Sequence, residues 1–179
     1  MSLYIEKQAY LSFTFNYLCN ANFNIKKVKE KQRLLDERYM RMATIWAENS
    51  YCKRRKVGAL IVKDKMIISD GYNGTPSGFE NICEDENNET KPYVLHAEAN
   101  AITKVACSHN SSKDATMYVT TSPCIECAKL IIQAGIRRVV YSEKYRRSDG
   151  AALLERAGIE VVYIDSITNL EETKEINGK

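Results

Sequence analysis

Ala115-Thr-Met-Tyr-Val-Thr-Thr-Ser-Pro-Cys-Ile-Glu-Cys-Ala-Lys-Leu-Ile-Ile-Gln-Ala-Gly-Ile-Arg-Arg-Val-Val-Tyr-Ser142 is the stretch that decides the fold. It reads as a strand over Ala115–Thr120, a helix over Cys124–Ala134 and a strand over Arg137–Ser142, with Gly135 placed to stop the helix. The alternation continues downstream with a helix over Ser148–Ala157, Gly158 behind it, and a strand over Ile159–Ile164. Upstream, a helix begins near His96 and runs to about Ala106. Before it, the apolar runs Val57–Lys63 and Met66–Tyr72 flank the turn Lys63-Asp64-Lys65 and read as a hairpin. An amphipathic helix from Lys31 to Asn49 carries Leu35, Tyr39, Met42, Ala43 and Trp46 at three- and four-residue steps. The order α-β-β-α-β-α-β-α-β predicts an α/β domain of three layers. Its five-stranded mixed sheet, largely parallel, has helices on both faces.

The 179 residues suit a single core. Residues 1–28 have weak periodicity and an Asn/Phe/Tyr bias, which reads as an extension that is either loose helix or disordered. The domain is expected over 29–165, with a polar tail over 166–179. A net charge of +3 is too small to argue for a nucleic-acid partner, and the lysines at 26, 27, 29 and 31 read as a solvated helix start. No run approaches the ~20 apolar residues of a membrane span. The patch Tyr10–Cys19, broken by Ser12, Thr14 and Asn16, lacks the basic start of a secretory signal. The chain is therefore read as cytoplasmic with reduced thiols. Among its six cysteines, a Cys-x-x-Cys pair then points to metal or redox chemistry.

Two short segments carry most of the chemistry: His96-Ala97-Glu98 and Pro123-Cys124-Ile125-Glu126-Cys127. Two cysteines three residues apart at a helix start can aim their sulfurs at one point, and the helix N-terminus favours thiolates. His96, at the start of another helix, adds an imidazole. Three protein ligands leave the fourth position of a zinc ion for water, the pattern of a catalytic site. Glu98, two residues beyond His96, is placed to move protons; a purely structural zinc site has no need of it. A long loop from Asn73 to Tyr93 is read as functional.

The combination H-x-E followed by P-C-x-x-C is similar to that of the zinc deaminases. Further segments resemble the deoxycytidylate (dCMP) deaminases: Arg55-Lys-Val-Gly-Ala-Leu-Ile-Val62, Gly71-Tyr-Asn-Gly-Thr-Pro-Ser-Gly78, His96-Ala-Glu-Ala-Asn-Ala-Ile102, Ser122–Ile136 and the stretch Tyr145–Ala157. The resemblance covers about Lys31 to Ile164. It implies a cytidine-deaminase-like fold and conversion of dCMP and water to dUMP and ammonia, supplying thymidylate synthesis. It implies one catalytic zinc on His96, Cys124 and Cys127. Glu98 would protonate N3 and pass a proton to the leaving amine. The backbone at Ala97 would hold the base carbonyl, Asn73 the sugar, and Tyr145 the pocket wall, while Arg55, Arg146 or Arg147 would meet the 5′-phosphate. It also implies a homo-oligomer, commonly a hexamer, with dCTP and dTTP as effectors acting near Gly71–Phe79. No membrane or nucleic-acid partner is expected. Some members resemble a two-zinc arrangement, and Cys52 and Cys83 match two of its ligands. No histidine lies between Cys83 and His96 to complete that site, so a single zinc is the expectation. Two competing readings are a deaminase acting on a base within RNA or single-stranded DNA, and a non-catalytic zinc module.

Overall fold

The computed structural model describes residues 2–144 and 149–165, with side chains from residue 25 onward. The chain divides into two compact units, Met1–Asp36 and Glu37–Lys179. The first is helical from Ser2, and within it Arg33 pairs with Glu30 one turn away at 2.7 Å. Helix α1 spans Ser2–Ala47, well beyond the expected Lys31–Asn49. The amphipathic signal starts only at Lys31, but no glycine or proline precedes Gly58, so no strong helix breaker interrupts the segment.

The second unit carries β1 (Gly58–Lys63), β2 (Met66–Tyr72), α2 (Ala97–Ala106), β3 (Thr116–Thr121), α3 (Ile125–Gln133), β4 (Arg138–Glu143), α4 (Asp149–Arg156) and β5 (Glu160–Tyr163). The β1–β2 turn is built on Asp64 and Lys65, both at positive φ (50° and 65°), the backbone of a two-residue hairpin turn whose twist matches the flanking strands. Strand order in the sheet is β2-β1-β3-β4-β5. The mixed sheet is as expected, but it is less parallel than the alternation suggests. β3 pairs with β4 and β4 with β5 in parallel, whereas β1 is antiparallel to both β2 and β3. The reason is that the connection from β2 through α2 to β3 skips over β1, leaving the hairpin's first strand in the middle.

Successive side chains on these strands go to opposite faces, and both faces are covered. Ala59, Ile61, Met117, Val119 and Val139 pack with Ala97 and Ala101 of α2, Ala128 and Ile131 of α3, and Leu154 of α4. Leu60, Val62, Tyr118 and Val140 pack with Met40 and Ala43 on the last turns of α1. Burial on both sides is why β1 reads as a nearly continuous apolar run and why β3 carries Met117, Tyr118 and Val119 in succession.

Gly71 sets how closely α2 approaches the sheet. A Cβ there would collide with the Ala97 carbonyl oxygen and the Ala101 nitrogen, both main-chain atoms of α2. Gly71→Ala is expected to cost about 1–3 kcal/mol, the usual range for overpacking a tight core. Denaturant unfolding reads this directly, and an unchanged midpoint would show that α2 is free to move away from the sheet.

Candidate active site

His96 and Cys124 are the N-cap residues of α2 and α3. Both have extended backbones (φ −73°, ψ 155° and φ −74°, ψ 171°), and neither side chain caps its own helix. Each is therefore free to face outward from a helix start. Cys127 lies three residues after its cap, where N-cap and third-residue side chains meet. Both sulfurs lie 3.4 Å from His96 Nδ1, and the three donor atoms fall within 4.8 Å of one another. Zn–N and Zn–S bonds of normal length at a tetrahedral angle place N and S about 3.5 Å apart, so the donor set fits zinc.

Protonation in the metal-free site follows from the same contacts. Donation from the Cys127 thiol holds Cys124 as a thiolate, down to about 3, with His96 adding to the effect against burial. Cys127 is pushed up by that same hydrogen bond, then by burial and by Glu98. His96 is raised chiefly by its contact with Cys124, and its own burial opposes this. Taking up a metal therefore displaces protons, at least the one on Cys127.

Glu98 is in the first turn of α2 and only 4% exposed. Burial raises its carboxyl above the usual range. Its own backbone N–H and His96 work the other way, and Cys124 adds to the rise. A raised carboxyl suits a group that must both take and give a proton. It also carries a sign for stability. The folded state holds this proton more tightly than the unfolded chain. The contribution to metal-free stability is therefore fully present below the unfolded value and is lost as pH rises through the folded one. Metal-free Glu98→Gln should melt above metal-free wild type at pH 8, and the gap should close toward pH 4. Thermal melts across that range check this, and a gap that widens on acidification would contradict it.

These groups open onto a cavity of ≈ 290 Å³, the scale of one small ligand. His96, Ala97, Glu98 and Cys124 lie on its wall, and so do Asn73 and Arg55. Ala97, in the first turn of α2, has a main-chain N–H with no intrahelical acceptor. The Asn73 side chain also holds the backbone around it. Its Oδ1 accepts from Val57 N at 2.8 Å and its Nδ2 donates to Arg55 O at 2.9 Å. The amide keeps one N–H and one lone pair for a ligand. Arg55 lies 3.9 Å from Glu143 at the surface. Tyr145, Arg146 and Arg147 lie outside the described residues.

Thr121 and Ser122 also lie on the wall, though the sequence assigns neither a role in the site, and so does Cys52, read there only as a match to a ligand of a second metal. The reading of every thiol as reduced needs correction, because Cys52 and Cys83 are joined as a disulfide, with Cα atoms 5.1 Å apart. They stand 31 residues apart in the chain, and folding of the loop after β2 back against the segment after α1 brings them together. Glu84, next to Cys83, accepts from the main-chain nitrogens of Lys53 and Arg54 at 2.9 and 3.1 Å. Loop and segment are thus tied twice.

Residues 34–143 match the cytidine and deoxycytidylate deaminase zinc-binding region. The chain belongs to the cytidine and deoxycytidylate deaminase family. Deoxycytidylate deaminase of Saccharomyces cerevisiae is 38% identical over 136 residues, covering 70% of this chain and 43% of the yeast protein. The human deoxycytidylate deaminase is 41% identical over 138 residues, covering 69% of this chain and 75% of its own. The chain thus spans less than half of the yeast relative. Among solved structures, the dCMP deaminase of cyanophage S-TIM5, in complex with dCMP and dUMP, superposes with a TM-score of 0.71. It is 46% identical, with coverage of 72% of this chain and 95% of that one. The five-stranded mixed sheet with its helices is therefore a cytidine-deaminase-like fold.

Proposed function

We propose that this family member hydrolyses dCMP to dUMP and ammonia, using one zinc ion held by His96, Cys124 and Cys127. The observation that carries the proposal is the convergence of both sulfurs on His96 Nδ1 beside a buried Glu98, on the wall of one small cavity. The cyanophage relative, structurally similar and observed with dCMP and dUMP, supports the choice of substrate.

Zinc held there would lower the pKa of a bound water and so supply the nucleophile at neutral pH. The chain's own groups do the rest. Glu98 takes one proton from the water and delivers it to N3 of the cytosine, then takes the second from the oxygen added at C4 and passes it to the departing amine. The free main-chain N–H of Ala97 donates to the base carbonyl. Asn73 binds the sugar with the amide valences left over from its backbone contacts. Arg55 is the candidate for the 5′-phosphate, for which its forked donors are suited; Tyr145 is proposed for the pocket wall.

The deaminase domain is proposed as residues 29–165. Family likeness further suggests a homo-oligomer, hexameric in many members, with dCTP and dTTP as effectors near Gly71–Phe79. No helix among the described residues is long and apolar enough to cross a membrane. A cytoplasmic location belongs to the proposal.

The test is a substrate panel. Ammonia release is measured from dCMP, cytidine, dCTP and a short single-stranded oligonucleotide. The expected result is turnover of dCMP in strong preference to the others. Turnover of the oligonucleotide alone would move the chain to the polynucleotide deaminases, and no turnover of any would favour a non-catalytic zinc module.

A further inference from the structure

Among the described residues, the hydroxyl of Thr121 is the one buried side-chain polar atom without a hydrogen-bond partner. Its neighbour Thr120 has one, since Thr120 Oγ1 accepts from Gly58 N at 3.2 Å. Thr121 is 5% exposed and closes β3 at the point where the chain turns toward Pro123 and Cys124. Strand parity fixes where its side chain goes. Met117 and Val119 lie on the α2/α3 face of the sheet and Tyr118 on the α1 face. Thr121 follows the odd positions, to the side where His96 and Cys124 start their helices. It lines the cavity together with Glu98 and those two residues.

A buried hydroxyl with no partner is destabilising when nothing answers it. Such a hydroxyl, on a residue that lines a ligand cavity, is accounted for when the side chain turns toward a ligand that supplies the missing partner. We propose that Thr121 is a substrate-contacting residue, its hydroxyl bonding the edge of the pyrimidine that carries the exocyclic amine. Its place, three residues before Cys124, sets it at the metal end of the cavity, where that amine leaves; Asn73 is assigned to the sugar. A hydroxyl also suits both sides of the reaction. The substrate presents an amine, a donor, at this carbon and the product presents a carbonyl, an acceptor; a hydroxyl serves either by rotating. The proposal rests on the dCMP reading above.

The test uses full-length, zinc-loaded protein and the variants Thr121→Val and Thr121→Ser. Valine keeps the shape and removes the hydroxyl. Its melting temperature without nucleotide is expected to match or exceed that of wild type, because an unanswered polar group has gone, with zinc content unchanged. KM for dCMP and the inhibition constant of dUMP are expected to rise together, about tenfold, and the stabilisation of the fold by added dUMP should shrink. Serine, which restores the hydroxyl, should recover most of the loss. Unchanged KM and dUMP binding in Thr121→Val, with wild type active on dCMP, would overturn this inference alone. A Thr121→Val protein that melts lower without nucleotide would overturn it in favour of a structural role. Wild type that leaves dCMP untouched would remove the dCMP reading and this inference with it.

Discussion

Glu98→Gln is expected to keep its zinc and to lose dCMP turnover by about 10²–10⁴-fold, the usual contribution of general acid–base catalysis. The substitution is nearly isosteric, and the three metal donors sit on His96, Cys124 and Cys127, so the donor cage is left alone. What disappears is the only carboxylate on the cavity wall in the same helical turn as the histidine ligand. Glutamine can donate and accept hydrogen bonds but cannot take a proton from water. Because protons must move at two stages, from water to N3 and then to the amine, the loss should appear in kcat rather than in KM. Metal analysis beside steady-state kinetics checks this. A variant within a few-fold of wild type would show that another group carries the protons.

Cys124→Ala should have an effect at least as large, with a different signature. Cys124 is already a thiolate in the metal-free site, held low by Cys127 and His96, and so is the donor most ready for a cation. Its removal leaves two donors, the imidazole and the buried Cys127 thiol, one short of the three-ligand set. Bound zinc should fall from one per chain to near none, and turnover should fall to background. The rise in melting temperature that zinc gives to wild type should vanish too, since that rise reports binding to the folded state. One equivalent of zinc retained in Cys124→Ala would place the metal elsewhere.

The parts of this architecture readable from the amino-acid order are those set by neighbours in the chain. The helix over Ile125–Gln133 and its stop at Gly135, φ +70°, follow from local periodicity and one glycine. The donor set was readable for the same reason: its members sit at or near two helix starts, so that spacing along the chain reflects spacing in the fold. Long-range pairing is different. The insertion of β1 between β2 and β3 depends on which strand edges meet, and no local pattern records that. The same holds for Cys52 and Cys83, joined across the long loop, and for Asn73, whose side chain turns out to clamp the segment at Arg55 and Val57. Thr121 looks like any strand threonine in the sequence. Only the count of hydrogen bonds around it singles it out.

The most direct test of the central claim is the product formed from dCMP in heavy-oxygen water by the zinc-loaded protein, read by mass spectrometry. Hydrolytic deamination at C4 predicts dUMP carrying one solvent-derived oxygen, with ammonia released in equal amount. Recovery of unchanged dCMP from protein with its zinc in place would contradict it.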